Sequence, residues 1–200
     1  MRRFKFISLC RAFSAAVLSL AYARLALAQG IVSELRTGVL AHDVPFLGDQ
    51  KEHGVDINGE MLFVSPVPAE LVTGIAPSIL WMLRPRPDVG FDANTSGYTS
   101  QFYLGLTWTA DLFRNVLTSQ DGVFVGLGIG AALNNGHANT SSGNHKALGS
   151  NLLFHPSVEI GYRFTPQHSI SLYVDHSSNA GLAERNQGLT NVGVRFGLAF

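Results

Sequence analysis

Charged residues are scarce in this chain of 200 residues: Asp, Glu, Lys and Arg together make up 14%, against about 25% in an ordinary soluble domain. So little charge argues against a water-soluble globule. Cysteine is nearly absent too. The single one, Cys10, falls in the N-terminal leader, so the mature chain is expected to hold none. That excludes a thiol nucleophile, a disulfide framework and a cysteine-based metal site. Long apolar runs are missing beyond the leader, where no stretch reaches the roughly 20 residues a spanning helix needs. Gly and Phe are plentiful instead, at 21 and 13 residues.

The leader reads as a secretory signal. Arg2, Arg3 and Lys5 form a basic start, an apolar stretch runs from Phe6 to about Leu27, and Ala26-Leu27-Ala28 has the small-x-small form of a cleavage site. Arg11 and Arg24 cut the longest charge-free run, Ala12 to Ala23, below the length of a membrane span. The expected division is 1–28 as signal peptide and 29–200 as one folded domain. Cleavage removes five basic residues and no acidic one, which leaves nine against fourteen and a net charge of −5. That balance speaks against a nucleic-acid partner.

The mature chain alternates with period 2 in segments of about ten residues, the pattern of a transmembrane β-barrel. In lipid every backbone N–H and C=O must be paired internally, so a membrane protein built of strands must close on itself. The expected fold is all-β: an eight-stranded antiparallel transmembrane β-barrel of the bacterial outer membrane, behind the signal peptide. Eight segments fit, at 33–44, 56–65, 71–83, 97–109, 122–134, 148–164, 167–178 and 189–200. Phe102, Leu104, Leu106 and Trp108 share one face of the fourth. Val123, Val125, Leu127 and Ile129 share one face of the fifth, opposite Gly126, Gly128 and Gly130, which would face a narrow lumen. Pro156 interrupts the sixth, because it removes a ladder donor. The last segment is the clearest, with Val192, Val194, Phe196, Leu198 and Phe200 on one face. Its terminal aromatic resembles the signal that outer-membrane proteins present to their insertion machinery.

Connections 45–55, 84–96, 135–147 and 179–188 are long, while 66–70 and 165–167 are short. Outer-membrane barrels have short periplasmic turns and longer external loops. With both termini periplasmic, every long loop then falls outside, except for a longer than usual periplasmic connection at 110–121.

The seventh segment carries the chemistry. Ile170, Leu172 and Val174 are apolar and expected to face lipid, and His176 and Ser178 continue their parity. Same-face neighbours at i and i+2 lie about 7 Å apart, so rotamer choice can bring an imidazole nitrogen to the hydroxyl. A base beside a hydroxyl is the minimum for an activated serine nucleophile. Polar groups on a lipid-facing wall are costly unless they have partners or a function. The bland alternative is that polarity simply returns at the end of the strand.

His176-Ser177-Ser178-Asn179-Ala180-Gly181-Leu182 resembles the His-x-Ser-Asn-Ala-Gly signature of the lipid A 3-O-deacylase (PagL) family, on the penultimate strand of an eight-stranded barrel. Asn186-Gln187-Gly188 matches the Asn-x-Gly that follows in that family, and the segment Gly38 to Val44 is loosely similar. The resemblance implies a serine esterase that cuts the 3-O-linked acyl chain of lipid A, in lipopolysaccharide of the outer leaflet, without a cofactor. It assigns Ser178 as nucleophile, His176 as general base, and Asn179 (side chain) and Gly181 (backbone N–H) as oxyanion donors. It also makes a homodimer plausible. Residues 176–178 would lie near the external end of their strand, level with the lipid A head group.

One position departs from the pattern. Family members with a full triad place an acid two positions after the Gly of Asn-x-Gly, and here that residue is Thr190. Its parity matches that of Val192 to Phe200, so it is expected to face outward beside His176 and Ser178. A threonine accepts a hydrogen bond from the imidazole but cannot offset an imidazolium charge. Glu184 is the candidate stand-in acid, while Asp175 points to the lumen. Two other readings stay open: a non-catalytic structural or adhesin-like barrel, favoured by the missing acid, and a small pore, disfavoured because eight strands leave little lumen. His42 and Asp43 end the first segment, and His53, His137 and His145 lie in loops. No His/Asp/Glu spacing resembles a metal site. Glu60, Glu159, Arg163 and Arg195 fall on lumen-facing positions and are read as a satisfied polar interior.

Overall fold

Side chains that alternate along a strand end up on opposite faces of the sheet, and in this chain the two faces differ sharply. Along 168–177 the residues Ile170 and Leu172 are half-exposed or more on the outer wall, while Ser169, Ser171, Tyr173 and Asp175 are buried inside. The computed structural model describes residues 30–200; the proposed signal peptide and Gln29 lie outside the described residues. Eight strands form one closed antiparallel barrel in sequence order: β1 (Val32–Ala41), β2 (Val55–Phe63), β3 (Arg86–Asn94), β4 (Gln101–Arg114), β5 (Gly122–Asn134), β6 (Leu152–Arg163), β7 (His168–Ser177) and β8 (Leu189–Ala199). β8 closes on β1, with Leu35 opposite Leu198 and Ala41 opposite Val192. Closure leaves no unpaired strand edge, which a wall facing lipid requires. None of the described helices is long and apolar enough to cross a membrane.

The interior is polar and paired. Arg36 contacts Glu34, Glu60 and Glu159; Arg195 reaches Glu60 at 3.2 Å and Glu159 at 2.7 Å; Arg86 reaches Glu34 at 2.7 Å. Three guanidiniums and three carboxylates therefore take the place of a hydrophobic core, as expected of Glu60, Glu159 and Arg195. Arg163 sits at the mouth on the terminal side, where it pairs with Asp111 at 2.9 Å. Room for this network depends on small residues. A Cβ at Gly126 would lie 2.6 Å from the Glu159 carboxyl, so the β5 glycine is what admits that side chain.

The fifth, seventh and eighth expected strands match β5, β7 and β8 to within a residue at either end. The third does not. Residues 71–83 are not a strand: a 3-10 turn (Ala69–Val72), a helical turn α1 (Pro77–Leu80) and a second 3-10 turn (Trp81–Leu83) lie in a connection that runs from 64 to 85. The cause is a period mistaken for alternation. Leu71, Ile75, Ile79 and Leu83 recur every four residues, the helical spacing, and Pro77 suits a first helical turn. The true third strand lies inside 84–96, which reads as a charged loop because its inward residues are Arg86, Asp88, Asp92 and Asn94. The short connection expected at 66–70 is thus the long one on the terminal side, and the opposite loop between β3 and β4 is only 95–100. β4 extends to Arg114, which shortens the connection expected at 110–121 to 115–121.

Candidate active site

β7 runs from the terminal side toward the loop side, and its last turns of polypeptide hold the predicted pair. His176 lies directly opposite Thr190 of β8, and its Nδ1 is 2.8 Å from Thr190 Oγ1. The bond fixes the ring: with Nδ1 donating, Nε2 is left as the basic nitrogen. Gly188 holds the ring from another side. A Cβ there would lie 2.5 Å from His176 Cε1 and 2.7 Å from Nε2, so only glycine leaves the space the imidazole fills.

Pro156 explains itself in this setting. Phe154 and Ser178 exchange both backbone hydrogen bonds, at 2.8 and 3.1 Å, and the β6–β7 ladder resumes at Ser157 opposite Asp175. The same register sets Pro156 opposite His176. Proline has no N–H to give, so the ladder opens beside His176 and closes again at Ser178. Ser178 is half-buried on the same face as His176. No hydrogen bond joins its Oγ to the imidazole among the described residues.

An apolar cleft of about 390 Å³ adjoins the pair, lined by Val44, Pro45, Phe46, Val174 and Val192. Val174 and Val192 face each other one same-face step below His176 and Thr190. Val44 is pinned above them by its N–H, which donates to the Thr190 carbonyl at 2.8 Å. Phe46 stands 73% exposed at the rim. Nothing in the local sequence links Val44–Phe46 to residues some 130 positions later; the closure of β8 on β1 makes the connection.

The remaining expected site residues are placed less simply. Asn179 is buried, and both its amide hydrogens are used, donating to the carbonyls of Leu148 at 2.7 Å and Arg185. Its Oδ1 accepts the Gly181 N–H at 2.9 Å. As folded, the two expected oxyanion donors are thus engaged with each other and with the loop. Within this turn the Ala180 N–H is the backbone donor without a protein partner among the described residues. Ala180 and Gly181 both adopt positive φ, 53° and 80°, which turns the chain sharply after Ser178. Glu184, the expected stand-in acid, is exposed and makes no hydrogen bond or ion pair among the described residues; the imidazole nitrogen it would serve is held by Thr190.

A buried polar cluster, which sequence reasoning missed, braces the site from the loop side. Glu52 accepts the Thr99 N–H and the Lys146 N–H, each at 3.0 Å, and lies 3.1 Å from His42 Nε2. Lys146 pairs with Asp43 at 2.6 Å and donates to the Gly188 carbonyl at 2.6 Å. Gly188 is the residue packed on His176, so three loops converge on the catalytic candidate through one lysine. Burial alone would push His42 down, but its hydrogen bonds to Asp56 and Glu52 prevail and raise it to about 9. Burial would raise Glu52, yet His42 and the two N–H donors hold it at about 2. His53 and His145 pack on Tyr98 at the loop rim, and His137 packs on His145.

Fold and cluster together define a small membrane barrel with a polar His/Ser/Thr group set on its apolar outer wall. The model of the lipid A 3-O-deacylase (PagL) family matches residues 78–199, more than half of the chain, and the chain belongs to that family. It is accordingly a Gram-negative outer-membrane protein of a lipid A deacylase family. The crystal structure of the outer membrane enzyme PagL superposes with a TM-score of 0.62 at 16% identity, covering 84% of this chain and 100% of that one. A de novo designed transmembrane β-barrel (TM-score 0.46, 14% identity, 84% of this chain and 96% of that one) is also similar in shape. So is the N-terminal β-barrel domain of Pseudomonas aeruginosa OprF (TM-score 0.45, 10% identity, 85% and 98%). No curated protein sequence matches the chain.

Proposed function

We propose that the protein is a serine esterase that removes the 3-O-linked fatty-acyl chain of lipid A, working on the outer wall of the barrel at the level of the external leaflet. The observation that carries this reading is the 2.8 Å contact between His176 Nδ1 and Thr190 Oγ1, which, with Nδ1 donating, leaves Nε2 basic on the face that Ser178 shares, directly above an apolar cleft. With both termini periplasmic, β7 runs outward and residues 176–178 meet the lipid A head group while the cleft points into the acyl layer. An acyl chain seated against Val174, Val192 and Phe46 would bring its ester carbonyl to Ser178.

In the first step Ser178 Oγ attacks the ester carbonyl as His176 Nε2 takes its proton. The tetrahedral oxyanion is met by the 179–181 turn: the Ala180 N–H is unpartnered among the described residues, and the Gly181 N–H becomes available once it leaves Asn179 Oδ1. Asn179 supports the turn through its bonds to Leu148 and Arg185. Collapse breaks the ester bond to the sugar, whose departing oxygen takes the proton from His176, and leaves the acyl chain on Ser178 Oγ. Water, giving its proton to His176, then attacks that acyl-serine and releases the fatty acid as Ser178 regains its proton. Thr190 orients the imidazole in place of an acid. Because it carries no charge to balance the imidazolium, turnover is expected to be slow; losing the acid of a serine triad costs about 10⁴ in another hydrolase.

The missing carboxylate also favours a second reading, a non-catalytic structural barrel. The two separate in one assay. Purified wild type and Ser178→Ala, folded in detergent, are given lipid A, and free fatty acid and deacylated product are measured by mass spectrometry. Release by the wild type and none by Ser178→Ala is expected. Equal release from both removes the esterase reading, and no release from either supports the structural barrel.

A further inference from the structure

A buried group of donors sits in the lumen behind the outer-wall site. Asp92 of β3, His155 of β6 and Asp175 of β7 each offer one ligand atom, and these atoms lie within 4.8 Å of one another, all three side chains buried. His155 Nε2 is 3.8 Å from Asp175 Oδ1. Among the described residues His155 Nε2 and Asp175 Oδ2 have no hydrogen-bond partner, although the two side chains are only 4% and 0% exposed. An orphaned buried polar atom costs about 1–3 kcal/mol, more when charged, so two of them on neighbouring buried side chains call for an occupant.

Charge makes the same demand. The guanidiniums of the lumen are committed to Glu34, Glu60 and Glu159. Among the described residues no Lys or Arg pairs with Asp92 or Asp175. Their partners are the neutral amides of Asn58, Gln101 and Asn191, at 2.8 to 3.3 Å. We propose that Asp92, His155 and Asp175 bind a divalent transition-metal cation, one imidazole nitrogen and two carboxylate oxygens supplying the ligands.

The donor set suits Zn²⁺, which takes His nitrogen and Asp oxygen at about 2.0–2.2 Å. Ligand atoms around a tetrahedral ion at that distance stand roughly 3.3–3.5 Å apart, so the trio draws in by up to about 1.5 Å on binding. The amides already fix the carboxylates, as outer partners of metal ligands do. Asn58 Nδ2 donates to Asp92 Oδ1 and Gln101 Nε2 to Asp92 Oδ2, each at 2.8 Å. Tyr103 stacks on the His155 ring, centroids 4.2 Å apart, and holds its plane. The sequence gives no hint of this site, since its ligands come from three strands. The cation would tie β3, β6 and β7 together one residue from His176. Ser177, between Asp175 and Ser178, is held by the same Gln101, whose Oε1 accepts its hydroxyl at 2.7 Å.

The test is zinc retention by the full barrel. Wild type, His155→Gln, Asp175→Asn and His145→Ala are refolded in detergent with zinc chloride, separated from free metal over a mild chelator, and analysed for zinc and thermal stability. Folding of each variant is checked by its heat-modifiable migration in gel electrophoresis. Wild type and His145→Ala are expected to keep about one zinc per chain and to melt higher than metal-free samples. His155→Gln and Asp175→Asn are expected to lose the metal and the shift. Asp175→Asn preserves shape, so it decides the matter if His155→Gln does not fold. Absence of retained zinc in the wild type, or equal retention in both lumen variants, overturns the site. Loss in His145→Ala alone assigns the metal to the loop-rim histidines and overturns it too.

Discussion

At the scale of single residues, Thr190 and Gly188 set what His176 can do. Thr190 contributes one uncharged hydrogen bond to the imidazole. Such a bond is worth about 1 kcal/mol, so Thr190→Val should slow fatty-acid release about fivefold while leaving the barrel folded. Thr190→Glu sets a carboxylate where the imidazolium charge develops, and it is expected to raise kcat tenfold or more. Steady-state release from lipid A measures both, and a Thr190→Glu enzyme no faster than wild type would mean that the hydroxyl suffices. Gly188 acts through space. A methyl group at that position meets the ring at 2.5 Å, so Gly188→Ala must push the imidazole off Thr190. A fall in kcat of about 10²-fold with KM little changed is expected, in line with the cost of misplacing a catalytic group by 1 Å. A proportionate rise in KM would locate the effect in the cleft instead.

At the scale of elements, the strands whose inward residues are mostly small or neutral were the legible ones. β5 sets glycines against valine, leucine and isoleucine, and β8 sets Gly193 and Gly197 against Val194, Phe196 and Leu198. β3 hid because its lumen face carries the charges of the interior network, and charge in sequence resembles a loop. The parity of His176, Ser178 and Thr190 was legible for the same reason that β7 and β8 were. The contacts of Lys146, Gly188 and Phe46 with that group were not, because loop-to-loop packing leaves no periodic trace. That loop packing has its own pH dependence. His42 is raised to about 9 from 6.5, so its contribution is complete below 6.5 and is lost as pH rises through 9. Glu52 is lowered to about 2 from 4.5, so its contribution is complete above 4.5 and is lost as pH falls toward 2. The loops should therefore be tightest between these windows. Hydrogen exchange at the Lys51, Glu52 and Thr99 amides, corrected for intrinsic rates, should show protection highest near pH 5 to 6 and declining from there to 9. Flat protection across that range would mean that His42 is not the cation of the cluster.

At the scale of the whole molecule, under the proposed esterase reading, the barrel separates stability from chemistry by putting them on opposite faces of one wall. The inner face holds the network of three guanidiniums and three glutamates, and Arg195 is central to it, with Glu60 and Glu159 at its guanidinium and the Tyr173 ring 3.5 Å from its carbon. The outer face holds the polar cluster and its apolar cleft. Removing one partner of a buried ion network strands the others without water, at a cost of about 3–5 kcal/mol. Arg195→Met keeps most of the volume and leaves Glu60 and Glu159 to Arg36 alone, so urea unfolding in detergent should show a loss of that order. If the lumen serves only to hold the wall in shape, the folded fraction of Arg195→Met should still release fatty acid at the wild-type rate per folded barrel. A folded Arg195→Met barrel with little activity would tie the reaction to the interior, and the division of labour between the two faces would have to be given up.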